Sequence, residues 1–309
     1  MRHFTRADVA NLAPHAEVIT ALRDAFRGDV IAPPRHVHVM ERVGAQPLIQ
    51  LIMPAWTHSH GGYAGLKTVM VGGDPYVQAN YLLTSLQTGE TLALMDGAEI
   101  TARRTAAASA LAADYLARPD ATRFLMVGAG TLGPHVVRAH ACVRSLQDIG
   151  IYNRSRAKSE TLVADLKADG FHAYVVEDIE HAAGTADIIS CATSSSTPII
   201  KGEWLKPGVH LDLMGAYRPD MREVDGEAVN RARVFVDTYE GAHSEAGDLL
   251  QAVTEGYFDM ELICGDLAGL TRGTIEGRKR EESITLFKSC GTALEDLATA
   301  IMIYEADRA

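Results

Sequence analysis

The stretch that most restricts the fold is "RFLMVGAGTLGPHVVRAH", which begins at Arg123. A short apolar run ends in Gly-x-Gly-x-x-Gly, with Gly128, Gly130 and Gly133, and a helical segment follows at once. The first glycine suits a tight turn, the second a close approach of backbone to a pyrophosphate, and the third a helix packed near its strand. Beyond it the alternation continues through "DIGIYNR", "SRAKSETLVADLKADG", "FHAYVVE", "ADIISCAT", "GVHLDLMGA" and "ARVFVD". Strands and helices in alternation mean a parallel sheet covered by helices, so this part is an α/β, Rossmann-type doubly wound sheet.

The loop residues Gly128, Ala129, Gly130, Thr131, Leu132 and Gly133 are therefore expected to cradle dinucleotide phosphates at a helix N-terminus. The end of the second strand selects the cofactor. An acidic residue about twenty positions past the glycines would accept from the ribose 2′-hydroxyl of NAD. Asn153 stands there instead, followed by Arg154, Ser155 and Arg156. Arginine pairs with phosphate and the other two can donate hydrogen bonds, so NADP(H) is favoured and NAD(H) remains open. Thr193 and Ser194 follow a later strand, at the carboxyl edge where ligands bind in such sheets.

The chain has 309 residues, enough for two domains. Residues 6–27 read as helix behind an N-cap at Thr5, the part from "PPRHVHVM" to Val71 as strands, and 99–117 as an Ala-rich helix. "RPDATR" (118–123) is a connection, and a last helix begins near Gly291. A formal net charge of −11 argues against nucleic acid or an anionic membrane as partner. The N-terminus lacks the apolar core of a signal peptide, and no apolar run reaches membrane-spanning length. Four scattered cysteines without Cys-x-x-Cys suggest reduced thiols and a cytoplasmic location. His36, His38, His58 and His60 lack any zinc-ligand spacing, so no metal is expected.

Four cations stand out before the glycine loop: Arg35, Lys67, Arg103 and Arg104. Lys67 interrupts a run in which Leu66, Val69, Met70 and Val71 read as buried strand. Arginine is suited to bidentate carboxylate binding, and a lysine among apolar residues can exchange protons near neutrality. An edge-strand lysine and surface arginines fit the same spacing. Asp96, in "LMDG", reads as a turn residue. Lys288 and Ser289 are placed to cap the last helix or to approach a nicotinamide.

"GGYAGLKTV", "YLLTSLQTGETLALMDGAEITARRTAAASALAA", "VGAGTLG", "GAYRPDMREVD" and "ITLFKSCGTALEDLATA" occur in this order. Together they resemble the ornithine cyclodeaminase/mu-crystallin family over nearly the whole chain. The resemblance implies a homodimer. It implies an α+β substrate and dimerisation domain of residues 1–117, completed by 291–309, and a nucleotide domain of 118–290. It implies a small amino- or imino-acid substrate whose carboxylate is held by Arg35, Lys67 and Arg104. The cyclodeaminases resemble one another in "GxDxPGKxE", where this chain puts Tyr217 in the aspartate's slot and Asp220 in that of a glycine. Asp220 is thus a candidate catalytic carboxylate, with Lys67. The "RPDMRE" form resembles the ketimine, Δ1-pyrroline-2-carboxylate and Δ1-piperideine-2-carboxylate reductases, which implies NAD(P)H-dependent reduction of cyclic α-imino acids. The alternatives are ornithine cyclodeaminase, an alanine dehydrogenase-like activity, and a non-catalytic binding protein of mu-crystallin type.

Overall fold

A computed structural model describes residues 1–58, 62–74 and 77–308. The chain runs β1 (Arg2–Phe4), α1 (Arg6–Leu12), α2 (His15–Arg27), β2 (Val30–Ile31), β3 (His36–Arg42), β4 (Ala45–Thr57), β5 (Tyr63–Val71), β6 (Val77–Ser85), β7 (Thr91–Asp96) and α3 (Gly97–Leu116). It continues through β8 (Arg123–Val127), α4 (Gly133–Ala141), β9 (Asp148–Tyr152), α5 (Arg156–Ala168), β10 (Ala173–Val175), α6 (Ile179–Thr185), β11 (Ile188–Cys191), β12 (His210–Leu213) and α7 (Gly226–Arg231). Then follow β13 (Arg233–Val236), α8 (Tyr239–Glu245), α9 (Gly247–Thr254), β14 (Gly265–Asp266), α10 (Leu267–Arg272), β15 (Thr285–Lys288) and α11 (Ala293–Ala306). Two compact units result, residues 1–105 with 291–309, and residues 106–290.

The first unit is a sheet in the order β1-β7-β6-β5-β4-β2, with β3 also paired to β4. Strands β4 to β7 are antiparallel, and β1 lies parallel to β7. Helix α11 packs on β4, β5, β6 and α2. In β5 the pleat sends Gly65, Lys67 and Val69 to the buried face, while Leu66, Met70 and Val71 are half-buried. The lysine that interrupts the apolar run therefore lies on the core side of the strand. Thr5 caps α1 through a reciprocal pair with Asp8, and Pro14 separates α1 from α2. Asp96 accepts from the Glu99 N–H and so caps α3.

The second unit is an all-parallel sheet in the order β10-β9-β8-β11-β12-β15-β13-β14. Its core is the apolar filling contributed by Leu125, Val127, Ile189, Leu211, Leu213, Val234 and Leu286. Strand order reverses between β8 and β11, the switch point at which such sheets open a crevice. The compact units divide within α3 rather than after residue 117. The Leu116 carbonyl at the end of α3 accepts from Arg278 Nε (2.7 Å) and Thr285 Oγ1 (3.0 Å), which ties that half of the helix to β15.

Candidate active site

The glycine loop leaves β8 at the switch point. Gly128 has φ +114°, a conformation side chains rarely adopt, and a Cβ there would stand 2.5 Å from the Ala192 carbonyl oxygen at the end of β11. A Cβ on Gly133 would meet the Gly128 carbonyl and Leu162 at 3.0 Å, so the start of α4 lies against its strand. A Cβ on Gly130 would meet nothing within 4 Å. The space beside it is open, as close approach of a ligand to the backbone requires. Ala129, Thr131 and Leu132 complete the turn, and Leu132 sits at the N-cap of α4 without a side-chain cap.

A cavity of about 460 Å³ opens here, lined by Gly128, Gly130, Arg154, Ser155, Thr193 and Ser194 among others. Asn153 also lines this cavity. Its Oδ1 accepts from Ala129 N–H (3.2 Å) and its Nδ2 donates to the Ser155 carbonyl (3.1 Å), so it ties the glycine turn to the end of β9. Arg156 is taken out of the expected phosphate set, since it pairs with Glu160 and Glu177. The sequence pattern did not single out Lys158, which lines the same cavity from the first turn of α5.

Thr193 belongs to a buried polar network. Glu223 Oε1 accepts from Thr193 N–H (2.7 Å) and Oγ1 (2.9 Å), and Oε2 accepts from Gly215 N–H (2.8 Å). Lys288, at the end of β15, pairs with Asp248 at 3.0 Å, both fully buried, and Ser289 Oγ donates to Asp237 at 3.1 Å. Neither caps the last helix; Thr292 does. Asp220 does not match the expected catalytic carboxylate. It is exposed in a turn, forked by Arg218 at 2.9 and 2.7 Å, and that pairing holds its carboxyl below the usual range, making it a weaker base.

In the first unit Lys67 is 1% exposed. Its Nζ lies 2.8 and 2.7 Å from the two carboxylate oxygens of Asp296 and 3.3 Å from Thr101 Oγ1. Arg104 shares Asp296 through Nε at 3.1 Å and holds Glu295 at 2.5 Å. Arg35 donates to the Gly291 carbonyl at 2.5 Å, and its charge is felt by Lys67. Burial pushes the Lys67 ammonium down to about 8. Asp296 opposes the shift; Arg104 and Arg35 add to it. Arg103 goes elsewhere, to Glu99 (2.8 Å) and the Ala13 carbonyl (2.6 Å). The sequence thus disclosed three cations of the cluster but not Thr101, Glu295 and Asp296. The usable signal was Lys67 itself, since a buried ammonium requires an acidic partner.

Among the described residues no group of three His, Cys, Asp or Glu side chains could hold a metal ion. His60 lies outside the described residues. No helix among the described residues is long and apolar enough to cross a membrane.

A crevice at the switch point of a parallel sheet, walled by a glycine loop with open space beside Gly130, defines a dinucleotide-binding protein. The first unit is a mixed sheet that buries a titratable lysine. The chain belongs to the ornithine cyclodeaminase/mu-crystallin family, whose family model matches residues 5–309. It is 38% identical over 301 residues to a Δ1-pyrroline-2-carboxylate reductase of Colwellia psychrerythraea, covering 94% of each chain. The structure of the Thermococcus litoralis Δ1-pyrroline-2-carboxylate reductase in complex with NADH and L-proline is similar at a TM-score of 0.93. There the identity is 32%, covering 100% of this chain and 98% of that one. An archaeal alanine dehydrogenase dimer with bound NAD is similar at 0.91, with 30% identity over 100% of this chain and 96% of that one.

Proposed function

We propose that this chain is an oxidoreductase that reduces the C=N bond of small cyclic α-imino acids, with NADPH preferred over NADH. The observation that carries the reading is Lys67, an ammonium buried beside Arg104 and Arg35 and titrating near 8. Such a group is protonated at neutral pH yet releases its proton readily. Arg104 and Arg35 bind the substrate carboxylate together with Lys67. Lys67 donates its proton to the imine nitrogen, and the positive C=N carbon that results is the hydride acceptor. The residues lining the cleft would hold a reduced nicotinamide dinucleotide, whose chemistry would be to supply a hydride. The carbon gains the hydride, the nitrogen keeps the proton, and the product is the cyclic amino acid.

The preference for NADPH rests on Arg154, Ser155 and Lys158 at the end of the cleft, where an acidic residue would favour NAD. Ornithine cyclodeamination is disfavoured. It calls for a carboxylate on the δ-ammonium, and Tyr217 occupies that slot while Asp220 is held by Arg218. We further infer a homodimer formed through the first unit. Val37 and Val39 are 54% and 60% exposed on β3, and an apolar cavity of about 640 Å³ lies between α2, β4 and α11. We place the enzyme in the cytoplasm, where its four cysteines stay reduced thiols. The test is NADPH oxidation with Δ1-pyrroline-2-carboxylate and Δ1-piperideine-2-carboxylate, run beside ammonia release from ornithine. Ammonia release without NADPH consumption would overturn the reading, and a monomeric mass by sedimentation would overturn the dimer.

A further inference from the structure

The segment Thr193–Ile199 contributes to the nucleotide cleft, yet it has no regular secondary structure to hold it. What holds it is the neighbouring pair Arg222 and Glu223. The Arg222 N–H donates to the Ser195 carbonyl at 2.7 Å, and the Ile199 N–H donates to the Glu223 carbonyl at 2.8 Å. The Glu223 carboxylate, fully buried, completes the attachment by accepting from Thr193 N–H, Thr193 Oγ1 and Gly215 N–H. Its own N–H donates to Asp248 at 2.7 Å, and Asp248 pairs with Lys288. A Cβ on Gly215 would stand 2.1 Å from the Thr193 carbonyl and 2.3 Å from Glu223 Oε1. The two segments touch so closely that neither shifts alone.

We propose that Glu223 is a positioning residue for the cofactor: its ionised carboxylate fixes the Thr193 segment of the cleft, so that nucleotide affinity falls when the carboxyl takes up a proton. The inference rests on the reading of this cleft as the nucleotide site. Each carboxylate oxygen already faces a backbone N–H. A proton on either oxygen removes the negative charge that the N–H groups of Thr193 and Gly215 face, makes the carboxyl a weaker acceptor and so loosens the segment. The titratable groups around Glu223 are Lys288 on β15, Asp248 on α9 and the Cys191 thiol on β11, itself pushed up by burial. Burial and Asp248 raise the Glu223 carboxyl to about 7, against Lys288 and the two N–H donors. The segment therefore loosens on mild acidification.

The experiment is fluorescence titration of the full chain with NADPH and, separately, NADH from pH 6 to 8.5. NADH lacks the 2′-phosphate, whose own titration near pH 6 would otherwise contribute. Wild type is expected to bind both cofactors about tenfold more weakly at pH 6 than at pH 8.5, the effect of one hydrogen bond to a charged group. Glu223→Gln should show the weaker affinity at every pH, with the slope abolished. Thr193→Val, which removes one hydroxyl donor and keeps both N–H groups, should keep the slope. A residue that merely supported the fold would alter the melting temperature and leave the slope in place. Wild-type affinity independent of pH, or an unchanged slope in Glu223→Gln, overturns the proposal. If Glu223→Gln does not fold, the wild-type and Thr193→Val slopes decide. Failure of wild type to bind either cofactor at any pH overturns the nucleotide reading, and this proposal with it.

Discussion

Asp296 opposes the lowering of the Lys67 proton affinity by burial, and replacing it with asparagine tests the chemistry assigned to the pair. Asparagine keeps the shape and one carbonyl oxygen for Lys67 Nζ and Arg104 Nε but removes the charge. Lys67 is already lowered to about 8 by burial, with Asp296 the principal influence in the other direction. In Asp296→Asn that influence disappears, while burial and the charges of Arg104 and Arg35 remain, so the ammonium must become more acidic. A carboxylate in direct contact moves the titration of its neighbour by about one to three pH units. If Lys67 acts as the proton donor, wild-type turnover is flat at neutral pH and falls as pH rises through about 8. In the variant the same fall begins at lower pH. At pH 8 a titration displaced downward by about one pH unit leaves about fivefold less protonated lysine than wild type, and one displaced by about three leaves several hundredfold less. Turnover should recover as the pH is lowered. The assay is kcat against pH from 5.5 to 9.5 with a cyclic imino acid, following loss of the reduced nicotinamide. A loss of activity equal at all pH values would refute the reasoning, because Asp296 would then hold Lys67 in place without governing its proton. A fall displaced to higher pH would refute its sign.

Lys67→Met should cut kcat at least about 10²-fold and leave NADPH affinity, by fluorescence titration, nearly unchanged. Arg104→Met should act mainly on substrate KM, since it removes a carboxylate contact that the ground state also makes. Arg154→Ala should raise the KM for NADPH about tenfold or more, the worth of a charge-assisted hydrogen bond, with NADH kinetics unaltered; equal use of both cofactors by wild type would refute this. Gly128→Ala places a side chain at φ +114° and against the Ala192 carbonyl. It should cost about 1–3 kcal/mol of stability and abolish the rise in melting temperature that NADPH gives wild type.

The nucleotide half was legible because its constraints are local. Gly128 and Gly133 are dictated by a backbone angle and by contacts of a few ångströms, and such demands leave their mark within a few residues. Asn153 and Arg156 were legible in place but not in role. Each has a nearby acceptor or donor, Ala129 and Ser155 for one, Glu160 and Glu177 for the other, and spacing does not reveal which partner wins. The Lys67 cluster was legible on one side only. Cations on an apolar strand or an Ala-rich helix are conspicuous, so Lys67 and Arg104 stood out. Glu295 and Asp296 occupy the first turn of α11, where acidic residues are commonplace because they favour the positive end of the helix dipole. Their composition therefore carried no signal. Their burial does, and it follows from the packing of α11 on β4, β5 and β6, a contact between segments more than 200 residues apart in the sequence. The same distance explains why Arg103 and Arg104 looked equivalent on spacing, where the family resemblance alone favoured Arg104. On α3 they are adjacent and point about 100° apart, so one reaches Asp296 and the other Glu99. The position of α11 decides which arginine meets the lysine's carboxylate.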